Sequence, residues 1–473
     1  MITLQNYIGG QLVEGSDYLD NISPATGEVF SRVPNSTAAD LEKAIAAARE
    51  AFPSWSEASI ADRSEILLRL ADLIEERLQP LAEAESQDTG KPVWLALEVD
   101  IPRAVANFRF FASAIVNQAS EAHLLEGKAV NYTRRAPLGI VGCISPWNLP
   151  LYLLSWKIAP ALATGNCVIA KPSEVTPYTA FLLSELAIEA GLPPGVLNIL
   201  HGRGHQIGQL LVDHPEVKAI SFTGGTETGR IIGQSAARQF KKVSLELGGK
   251  NPVLVFDDCD LEQAVRESVR SAFTNQGEIC LCGSRIFVQK GIYDSFKSAF
   301  LDEVKALKVG DPRKQVDLGA IVSAQHLEKV KKYVQQAKTD GGKILAGGNQ
   351  LTIGKGYYHE PTVIEGLDEH CTINQEEVFG PVVTLVPFDD EEDAIRKANA
   401  TSYGLASVIW TENLKRAHRV AHRMQSGIVW VNCWMLRDLR TPFGGMKASG
   451  VGREGGSEAL RFFTEAQNIC VKL

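Results

Sequence analysis

The sequence predicts an α/β protein of more than one domain, built around parallel, doubly wound sheets. Its 473 residues are too many for one hydrophobic core, and ordinary domain sizes suggest two or three domains. Short β-rich runs alternate with helix-compatible segments over residues 138–246, and a second alternating region begins near residue 284. Such alternation is typical of parallel sheets covered by helices.

Composition and charge limit the class of ligand. The hydrophobic fraction of 45% and charged fraction of 22% are those of an ordinary globular protein. The net charge of −8 argues against nucleic acid or an anionic membrane as partner, so we expect a small-molecule ligand. The first ten residues lack the pattern of a secretory signal, and the eight cysteines lack disulfide-framework spacing, which indicates the cytoplasm. No cysteine or histidine pair has metal-ligand spacing, so no metal is expected.

The first hundred or so residues are expected to be mainly helical. Residues 37–40 form a predicted capping box that opens the first helix. A second helix carries an apolar stripe that includes Leu78, and Pro80 is expected to end it. A third helix begins near Pro102, and Arg103 lies off its apolar stripe.

The two alternating regions give the following predicted elements. Strands are expected at 138–144, 166–170, 196–200, 218–222 and 242–246, and then at 284–288, 382–387, 406–410 and 427–432. Helices are expected at 152–163, 177–190, 205–212 and 226–239, and then at 293–306, 325–338, 392–398 and 414–424. The tail, 466–473, is β-prone and suited to joining the sheet edge of another subunit.

Polar loops follow the predicted strands of the first region. Parallel sheets bind ligands at the carboxyl ends of their strands, and glycines there let backbone N–H groups approach a pyrophosphate. Gly202-x-Gly204-x-x-x-Gly208 is not the usual dinucleotide fingerprint, so nucleotide binding and plain turns both remain open from spacing alone. Lys171 and Glu174 are suited to form hydrogen bonds with ribose hydroxyls. Glu174 would repel a 2′-phosphate, which favours NAD over NADP.

Three motifs supply the parts of a covalent acyl-transfer site. A free cysteine, Cys280, lies between small and apolar neighbours in the stretch 275–285, although most cysteines are simply buried hydrophobes. Asn148 stands between two prolines, and Glu246 lies in Leu-Glu-Leu-Gly-Gly-Lys. A nucleophile, an amide donor and a carboxylate are what such chemistry needs. Cys282 is an alternative nucleophile. Asn148 could instead be only a turn residue, and Glu246 only a surface carboxylate.

At these motifs the chain resembles the aldehyde dehydrogenase superfamily, and the resemblance extends from residues 6–10 to residues 451–454. It implies an aldehyde dehydrogenase-like fold with a Rossmann-type nucleotide-binding domain, an α/β catalytic domain and a small β oligomerisation element. The corresponding bounds are 1–118 with 138–246 for the NAD-binding domain, 247–450 for the catalytic domain, and 119–137 with 451–473 for the oligomerisation element. It also implies NAD as cofactor and a homodimer or homotetramer.

The resemblance assigns roles residue by residue. Cys280 is expected to be the nucleophile, Glu246 the general base, preferred over the nearby Glu278, and Asn148 the oxyanion donor, with Lys157 and Glu454 as supporting polar residues. The cofactor positions are Ser145, Trp147, Lys171, Ser173, Glu174, Gly204, Phe222, Thr223, Gly225, Leu247, Glu377 and Phe379. The expected chemistry is thiolate attack on an aldehyde, hydride transfer to the nicotinamide, and hydrolysis of the thioester by water that Glu246 activates.

Four further stretches, 100–103, 107–112, 277–282 and 432–439, are similar to the branch of the family that oxidises 2-aminomuconic semialdehyde, with the 2-hydroxymuconic enzymes next. Those substrates carry carboxylate, which guanidinium groups bind bidentately. Arg103 and Arg437, with Trp156 and Phe443, are therefore expected to bind the substrate. Surface roles for these arginines, or Arg440 in place of Arg437, remain alternatives.

Rival functions are less well supported by the sequence. A cysteine hydrolase or acyltransferase pairs its cysteine with histidine, and the three motifs contain none. A non-catalytic protein on the same scaffold would be expected to lose the nucleophile or the base. A coenzyme A-acylating relative would not need the water-activating carboxylate at Glu246.

Overall fold

The computed structural model describes residues 1–473 as helices that cover two large sheets and several small ones. The helices are α1 Ala38–Glu57, α2 Ile60–Glu76, α3 Leu78–Thr89, α4 Val93–Leu95, α5 Ile101–Val116, α6 Pro150–Ala163, α7 Tyr178–Glu189, α8 Gln209–Asp213, α9 Thr226–Ala237, α10 Leu261–Phe273, α11 Tyr293–Ala306, α12 Ala324–Thr339, α13 Thr372–Gln375, α14 Glu391–Asn399, α15 Leu414–Ala421 and α16 Gly456–Phe462. The strands are β1 Ile2–Thr3, β2 Asn6–Ile8, β3 Gln11–Val13, β4 Tyr18–Ser23, β5 Glu28–Pro34, β6 Ala122–Leu125, β7 Ala129–Pro137, β8 Ile140–Ile144, β9 Cys167–Lys171, β10 Leu197–Ile199, β11 Val217–Thr223, β12 Lys242–Glu246, β13 Asn251–Val255, β14 Gly283–Gln289, β15 Lys343–Ala346, β16 Gln350–Leu351, β17 Tyr358–His359, β18 Thr362–Glu365, β19 Val382–Phe388, β20 Tyr403–Gly404, β21 Ala406–Trp410, β22 Ile428–Val431, β23 Met446–Lys447, β24 Gly450–Val451 and β25 Thr464–Lys472.

The first large sheet is doubly wound. Its order is β24-β12-β11-β8-β9-β10-β2-β3, with β8 to β12 parallel and the flanking strands antiparallel. The chain runs outward from β8 to β10 and then returns to the other side of β8 through β11. The strand order therefore reverses between β8 and β11, and a ligand crevice is expected at their carboxyl ends.

The second large sheet has the order β15-β18-β19-β14-β13-β21-β22 and is parallel except for β15. The strands β13, β15 and β18 of this sheet and the helix α10 are absent from the predicted elements. Pro252 obscures β13 in the sequence, because proline lacks the N–H that a central strand donates. The structure accommodates it at a shift of register between Asn251 and Pro252.

The predicted elements of both alternating regions are present, with shifted ends. The predicted helix 205–212 begins as a π-helical turn, Gly204–Gly208, before α8. One prediction is wrong: Pro80 does not end the second helix. That helix ends at Glu76, and Pro80 lies in the first turn of α3, where backbone N–H groups have no partner within the helix.

The tail lies in a small antiparallel sheet with the order β25-β7-β6. Strand β25 pairs with β7 of its own chain from Thr464 to Lys472, and its other edge stays unpaired within the chain. The short strand β24, which falls where the predicted catalytic and oligomerisation segments meet, joins the first large sheet. No helix combines the length and apolar character needed to cross a bilayer.

Helix α6 connects the two main cores. Leu154, Trp156 and Ile158 belong to the core around the first sheet, whereas Tyr152 and Leu153 pack into the core around the second. The start of α6 directly follows Asn148, so this residue is held between the two packed layers. The site residues that both layers carry therefore meet in one cleft.

The helical layer supports the first sheet through residues such as Leu70 on α2, which is 0% exposed. We expect Leu70→Ala to lower the free energy of unfolding by about 2–5 kcal/mol, because it removes buried methyl groups and leaves a cavity. Leu68→Ala on the same helix, where the side chain is 36% exposed, should cost about 0.5 kcal/mol or less. Chemical denaturation checks this, and equal losses for the two variants would contradict it.

Candidate active site

Cys280 lies at the end of a strained loop that follows α10. Asn275, Gln276 and Gly277 have φ angles of 53°, 54° and 72°, which side chains rarely adopt. A Cβ atom on Gly277 would lie 2.3 Å from the carbonyl oxygen of Gly380, so only glycine fits there. Strained backbone persists where the surroundings enforce it, and it concentrates at functional sites.

Side chains from other elements hold the segment around the cysteine. Asn251 Nδ2 donates to the carbonyl oxygens of Cys280 and Cys282 at 2.7 and 2.9 Å. The indole N–H of Trp434 donates to Leu281 O at 3.0 Å. Cys282 is 6% exposed and packs in the second core, whereas Cys280 lines the cavity that Asn148 also lines. Of the two candidate thiols, Cys280 is therefore the one that faces the cleft.

Asn148 presents its amide to the same cavity of about 190 Å³. Its Nδ2 donates one hydrogen bond, to the Glu278 carbonyl oxygen at 2.9 Å. An amide nitrogen carries two N–H groups, so the second remains for a ligand oxygen. Glu278 itself accepts from the Val322 N–H at 3.1 Å, away from the nucleophile position.

Glu246 ends strand β12 and is only 3% exposed. Neither of its carboxyl oxygens has a hydrogen-bond partner. Burial, followed by repulsion from Glu454, raises the pKa of this carboxyl well above its usual range, against attraction from Lys157, Arg453 and Arg437. A buried carboxyl without partners that binds protons readily is suited to accept a proton from a substrate or water.

Lys157 and Glu454 form a buried ion pair close to Glu246. Lys157 Nζ donates to Glu454 Oε1 at 2.7 Å and to Ser221 Oγ at 3.1 Å. The Ser221 hydroxyl also donates to Glu454 Oε1, at 3.0 Å. The pair thus contributes charge near Glu246 while its own polar atoms are satisfied.

The nucleotide crevice opens between β8 and β11, where the strand order reverses. It forms a cavity of about 470 Å³, which shares Pro146, Trp147, Thr223 and Gly225 with the smaller cavity at Cys280. Every predicted cofactor position lines one of the two cavities. The hydroxyl oxygens of Ser145 and Thr223 are buried there without partners, which fits a polar ligand.

The far end of the crevice carries the lysine and carboxylate expected for ribose. Lys171 Nζ lies 2.8 Å from Glu174 Oε2, and the Gly204 N–H donates to Glu174 Oε1 at 3.1 Å. Gly225 has no heavy atom within 4 Å of the position of a Cβ atom, so a bulky group can lie over it. These contacts suit a dinucleotide whose adenosine ribose lies at Lys171.

At the cysteine end, Glu377 and Phe379 close the crevice. The Gly249 N–H donates to Glu377 Oε1 at 2.8 Å, and burial raises the pKa of this carboxyl. Phe379, at a φ angle of 61°, packs edge-on against Trp147 with ring centroids 5.1 Å apart. A ring nitrogen of His326 donates to Phe379 O at 2.6 Å, so this histidine is held in the cofactor wall.

Arg103 and Arg437 meet across Tyr152 on the side of the cleft away from the nucleotide. Arg437 Nη1 donates to the Tyr152 hydroxyl at 2.7 Å, and the Arg103 guanidinium lies 5.5 Å from the centre of the Tyr152 ring. Arg437 also lies 4.0 Å above Phe443 and 5.6 Å from Trp156, so the predicted substrate positions form one cluster. Burial lowers the pKa of Arg103.

Arg440 differs from Arg103 and Arg437 because it has a carboxylate partner. Its guanidinium binds Asp438, with Nε 3.0 Å from both carboxyl oxygens, and the side chain is 81% exposed. Neither Arg103 nor Arg437 forms an ion pair with any carboxylate of the chain. Arg440 lines the same open pocket as Arg103 and Arg437, but it is already paired with a carboxylate, so Arg437 stays the preferred candidate.

Several residues that shape the site are not predicted from the sequence. Tyr152, Asn251 and Asn275 act through side-chain contacts with residues far along the chain or in neighbouring loops, and no sequence pattern marks these contacts. Lys91 is one lysine among many in the sequence, yet its side chain is completely buried and donates to Asn148 O at 3.0 Å. The position of Asn251 directly after the Leu-Glu-Leu-Gly-Gly-Lys motif is a sequence signal that could have found it.

The family model for the aldehyde dehydrogenase family matches residues 12–469. The chain belongs to the aldehyde dehydrogenase family. The predictions of an aldehyde dehydrogenase-like fold, of an NAD-dependent aldehyde dehydrogenase and of a small-molecule aldehyde substrate are confirmed at the level of the family. The roles of individual residues and the predicted domain bounds stay predictions.

Similar proteins are known from several organisms. A 2-aminomuconic semialdehyde dehydrogenase of Bos taurus is 52% identical, covering 100% of this chain and 99% of that protein. A 2-hydroxymuconic semialdehyde dehydrogenase of Pseudomonas sp. (strain CF600) is 46% identical over 100% of both. The NAD+ complex of an aldehyde dehydrogenase from Bacillus cereus superposes with a TM-score of 0.98, at 39% identity, covering 100% of this chain and 97% of that one.

Burial, together with repulsion from Glu377 and Glu246, raises the pKa of the Cys280 thiol to about 12. The reactive thiolate is therefore scarce at neutral pH in the cofactor-free protein, and its fraction grows about tenfold per pH unit below that pKa. We expect alkylation of Cys280 by iodoacetamide to keep accelerating from about pH 7 to pH 10, measured by peptide mass spectrometry. Glutathione, with an ordinary thiol pKa near 8.5, should level off in this range. A plateau for Cys280 below pH 9 would contradict the expectation.

Proposed function

We propose that this aldehyde dehydrogenase uses NAD+ to oxidise 2-aminomuconic 6-semialdehyde, or a close carboxylate-bearing analogue, to the acid. The observation that carries the proposal is the pair of guanidinium groups at Arg103 and Arg437, which lie beside the cleft without a carboxylate partner. The Arg103 Nε is buried and unpaired. Buried charged groups are normally paired, so this arrangement suits an anionic substrate.

The surroundings of the arginines support a planar, unsaturated acid. Trp156, Phe443 and Tyr152 present aromatic surfaces on which guanidinium groups already lie. A carboxylate held bidentately there fixes one end of the substrate and directs the other end toward Cys280. The relative named for the 2-hydroxy substrate supports 2-hydroxymuconic semialdehyde as the second candidate.

In the first half of the reaction Cys280 acts as the nucleophile. Its thiol gives its proton to solvent, and the sulfur of the thiolate bonds to the aldehyde carbon. The oxygen of the resulting thiohemiacetal accepts hydrogen bonds from the free N–H of Asn148 and from the Cys280 N–H, each contributing about 3 kcal/mol. When bound, NAD+ supplies the hydride acceptor, so the carbon leaves this step as a thioester.

In the second half Glu246 activates water. The Glu246 carboxylate takes a proton from a water molecule whose oxygen attacks the thioester carbon, and this proton is later returned to the Cys280 sulfur. The carbon–sulfur bond breaks, the acid leaves and the thiol is restored. The buried Lys157–Glu454 pair adjusts the charge around Glu246 during these transfers. No histidine hydrogen-bonds to Cys280, which disfavours a cysteine hydrolase.

The proposal extends to cofactor choice, assembly and compartment. Glu174 beside Lys171 favours a free 2′-hydroxyl, hence NAD rather than NADP. The segments 1–118 with 138–246 form the NAD-binding domain, 247–450 the catalytic domain, and 119–137 with 451–473 the oligomerisation element. The exposed Leu124 and Leu125 of the small sheet suit a homodimer or homotetramer. Eight free cysteines favour the cytoplasm.

Arg437→Ala should reduce kcat/KM for the muconic semialdehyde about 10- to 100-fold, because a charge-assisted hydrogen bond contributes about 1.5–3 kcal/mol. The same variant should lose little on an uncharged aldehyde of similar size. Arg440→Ala is the matched control and should behave like the wild type on both, since Arg440 pairs with Asp438 on the surface. Equal losses on the two substrates in Arg437→Ala would refute the carboxylate site.

Glu246→Gln tests the assignment of the hydrolytic base. Rapid-mixing kinetics, with NADH followed by absorbance, should retain a burst of about one equivalent per active site. Steady-state turnover should fall about 100- to 10,000-fold, because the thioester lacks a base for its water. Loss of the burst together with turnover would instead place the essential role of Glu246 before thioester formation.

A further inference from the structure

A buried ion pair outside the cleft contacts the main chain of the proposed oxyanion donor. Lys91, in the loop after α3, and Asp100, just before α5, have side chains that are 0% and 1% exposed, and they bind each other directly. Lys91 Nζ also donates to the carbonyl oxygen of Asn148 at 3.0 Å. Burying such a pair costs free energy, so we expect the pair to have a role other than stability.

A second side chain, from the loop that precedes Cys280, also binds the main chain of Asn148. Asn275 Nδ2 lies 3.3 Å from Asn148 O and 3.2 Å from Glu278 O, and so donates across both segments. Glu278 O is the same atom that accepts from the Asn148 side chain. The main chain and the side-chain amide of Asn148 are thus held by the same set of hydrogen bonds.

The Lys91 loop and the cysteine loop are also connected to each other. Gln276 Nε2 donates to Ala320 O at 3.2 Å, and the Ala320 N–H donates to Gly90 O at 2.9 Å. Gly90, at a φ angle of 79°, directly precedes Lys91. The ion pair, Asn148 and the strained turn before Cys280 therefore form a continuous set of hydrogen bonds.

We infer that Lys91, supported by Asp100, is a positioning residue for the oxyanion-binding amide. This inference rests on the proposed role of Asn148. Lys91 holds the Asn148 main chain, the Glu278 carbonyl occupies one N–H of the side-chain amide, and the other N–H is thereby directed at the carbonyl oxygen of a substrate bound to Cys280. Oxyanion stabilisation depends on donors fixed before the charge develops, and small displacements are expensive in rate.

The test is a double-mutant cycle on kcat with the holoenzyme. Asn148→Ala should reduce kcat about 100- to 1000-fold, and Lys91→Met, which preserves the length of the side chain, about tenfold or more. The double variant Lys91→Met with Asn148→Ala should be no slower than Asn148→Ala, within about threefold, because Lys91 acts through that amide. The KM for the aldehyde and the Kd for NAD+ should change little in Lys91→Met.

The controls separate positioning from folding. Lys241 is also buried and donates to the main-chain oxygens of Val212 and His214, so Lys241→Met should lower the Tm while leaving kcat unchanged. Alkylation of Cys280 by iodoacetamide forms no oxyanion, and its rate should be equal in Lys91→Met and wild type. If Lys91→Met does not fold, the charge-free pair Lys91→Met with Asp100→Asn replaces it in the cycle.

Each outcome has a distinct meaning. Additive losses in the cycle, or slower alkylation in Lys91→Met, would overturn the positioning role and leave the proposed function intact. An unchanged kcat in Lys91→Met or its charge-free replacement would do the same. An unchanged kcat in Asn148→Ala would overturn the proposed oxyanion donor itself, and the inference with it.

Discussion

The chemistry proposed for this protein depends on a buried carboxyl group that has no hydrogen-bond partner. Glu246 is buried at the end of β12 with both oxygens free, and its pKa lies well above the usual range. A carboxylate that binds protons this readily matches the task of a base near neutral pH. Burial also raises the pKa of the Cys280 thiol, so the proposed nucleophile and the proposed base share one environment.

That environment is stable because neighbouring polar groups are satisfied. The Lys157–Glu454 pair binds Ser221, and Asn251 and Trp434 hold the carbonyl oxygens around Cys280. Strain in the turn before the cysteine is tolerated since the Gln276 side chain of this turn is hydrogen-bonded to the distant main chain at Gly319 and Ala320. Unsatisfied atoms are thus left where a cofactor, a substrate oxygen or water can pair with them.

The double-wound topology decides how cofactor and substrate approach. Reversal of strand order between β8 and β11 opens the nucleotide crevice, and α6 carries Tyr152, Trp156 and Lys157 along the opposite side. Because α6 packs into both cores, the substrate arginines and the catalytic loop are attached to a common element. Hydride transfer and thioester hydrolysis can therefore occur at one carbon.

The sequence alone determined the α/β class, because alternating strand and helix patterns are local. Its long motifs also supplied the proposed nucleophile, base and amide donor. It also identified Arg103 and Arg437 as the candidates for a carboxylate. Only the tertiary structure showed that Arg440 is paired with Asp438, that β13 contains Pro252, and that the buried Lys91 side chain donates to the Asn148 main chain. These depend on contacts between residues far apart in the chain, such as the 57 positions from Lys91 to Asn148, and no local pattern records which side chains a fold brings together.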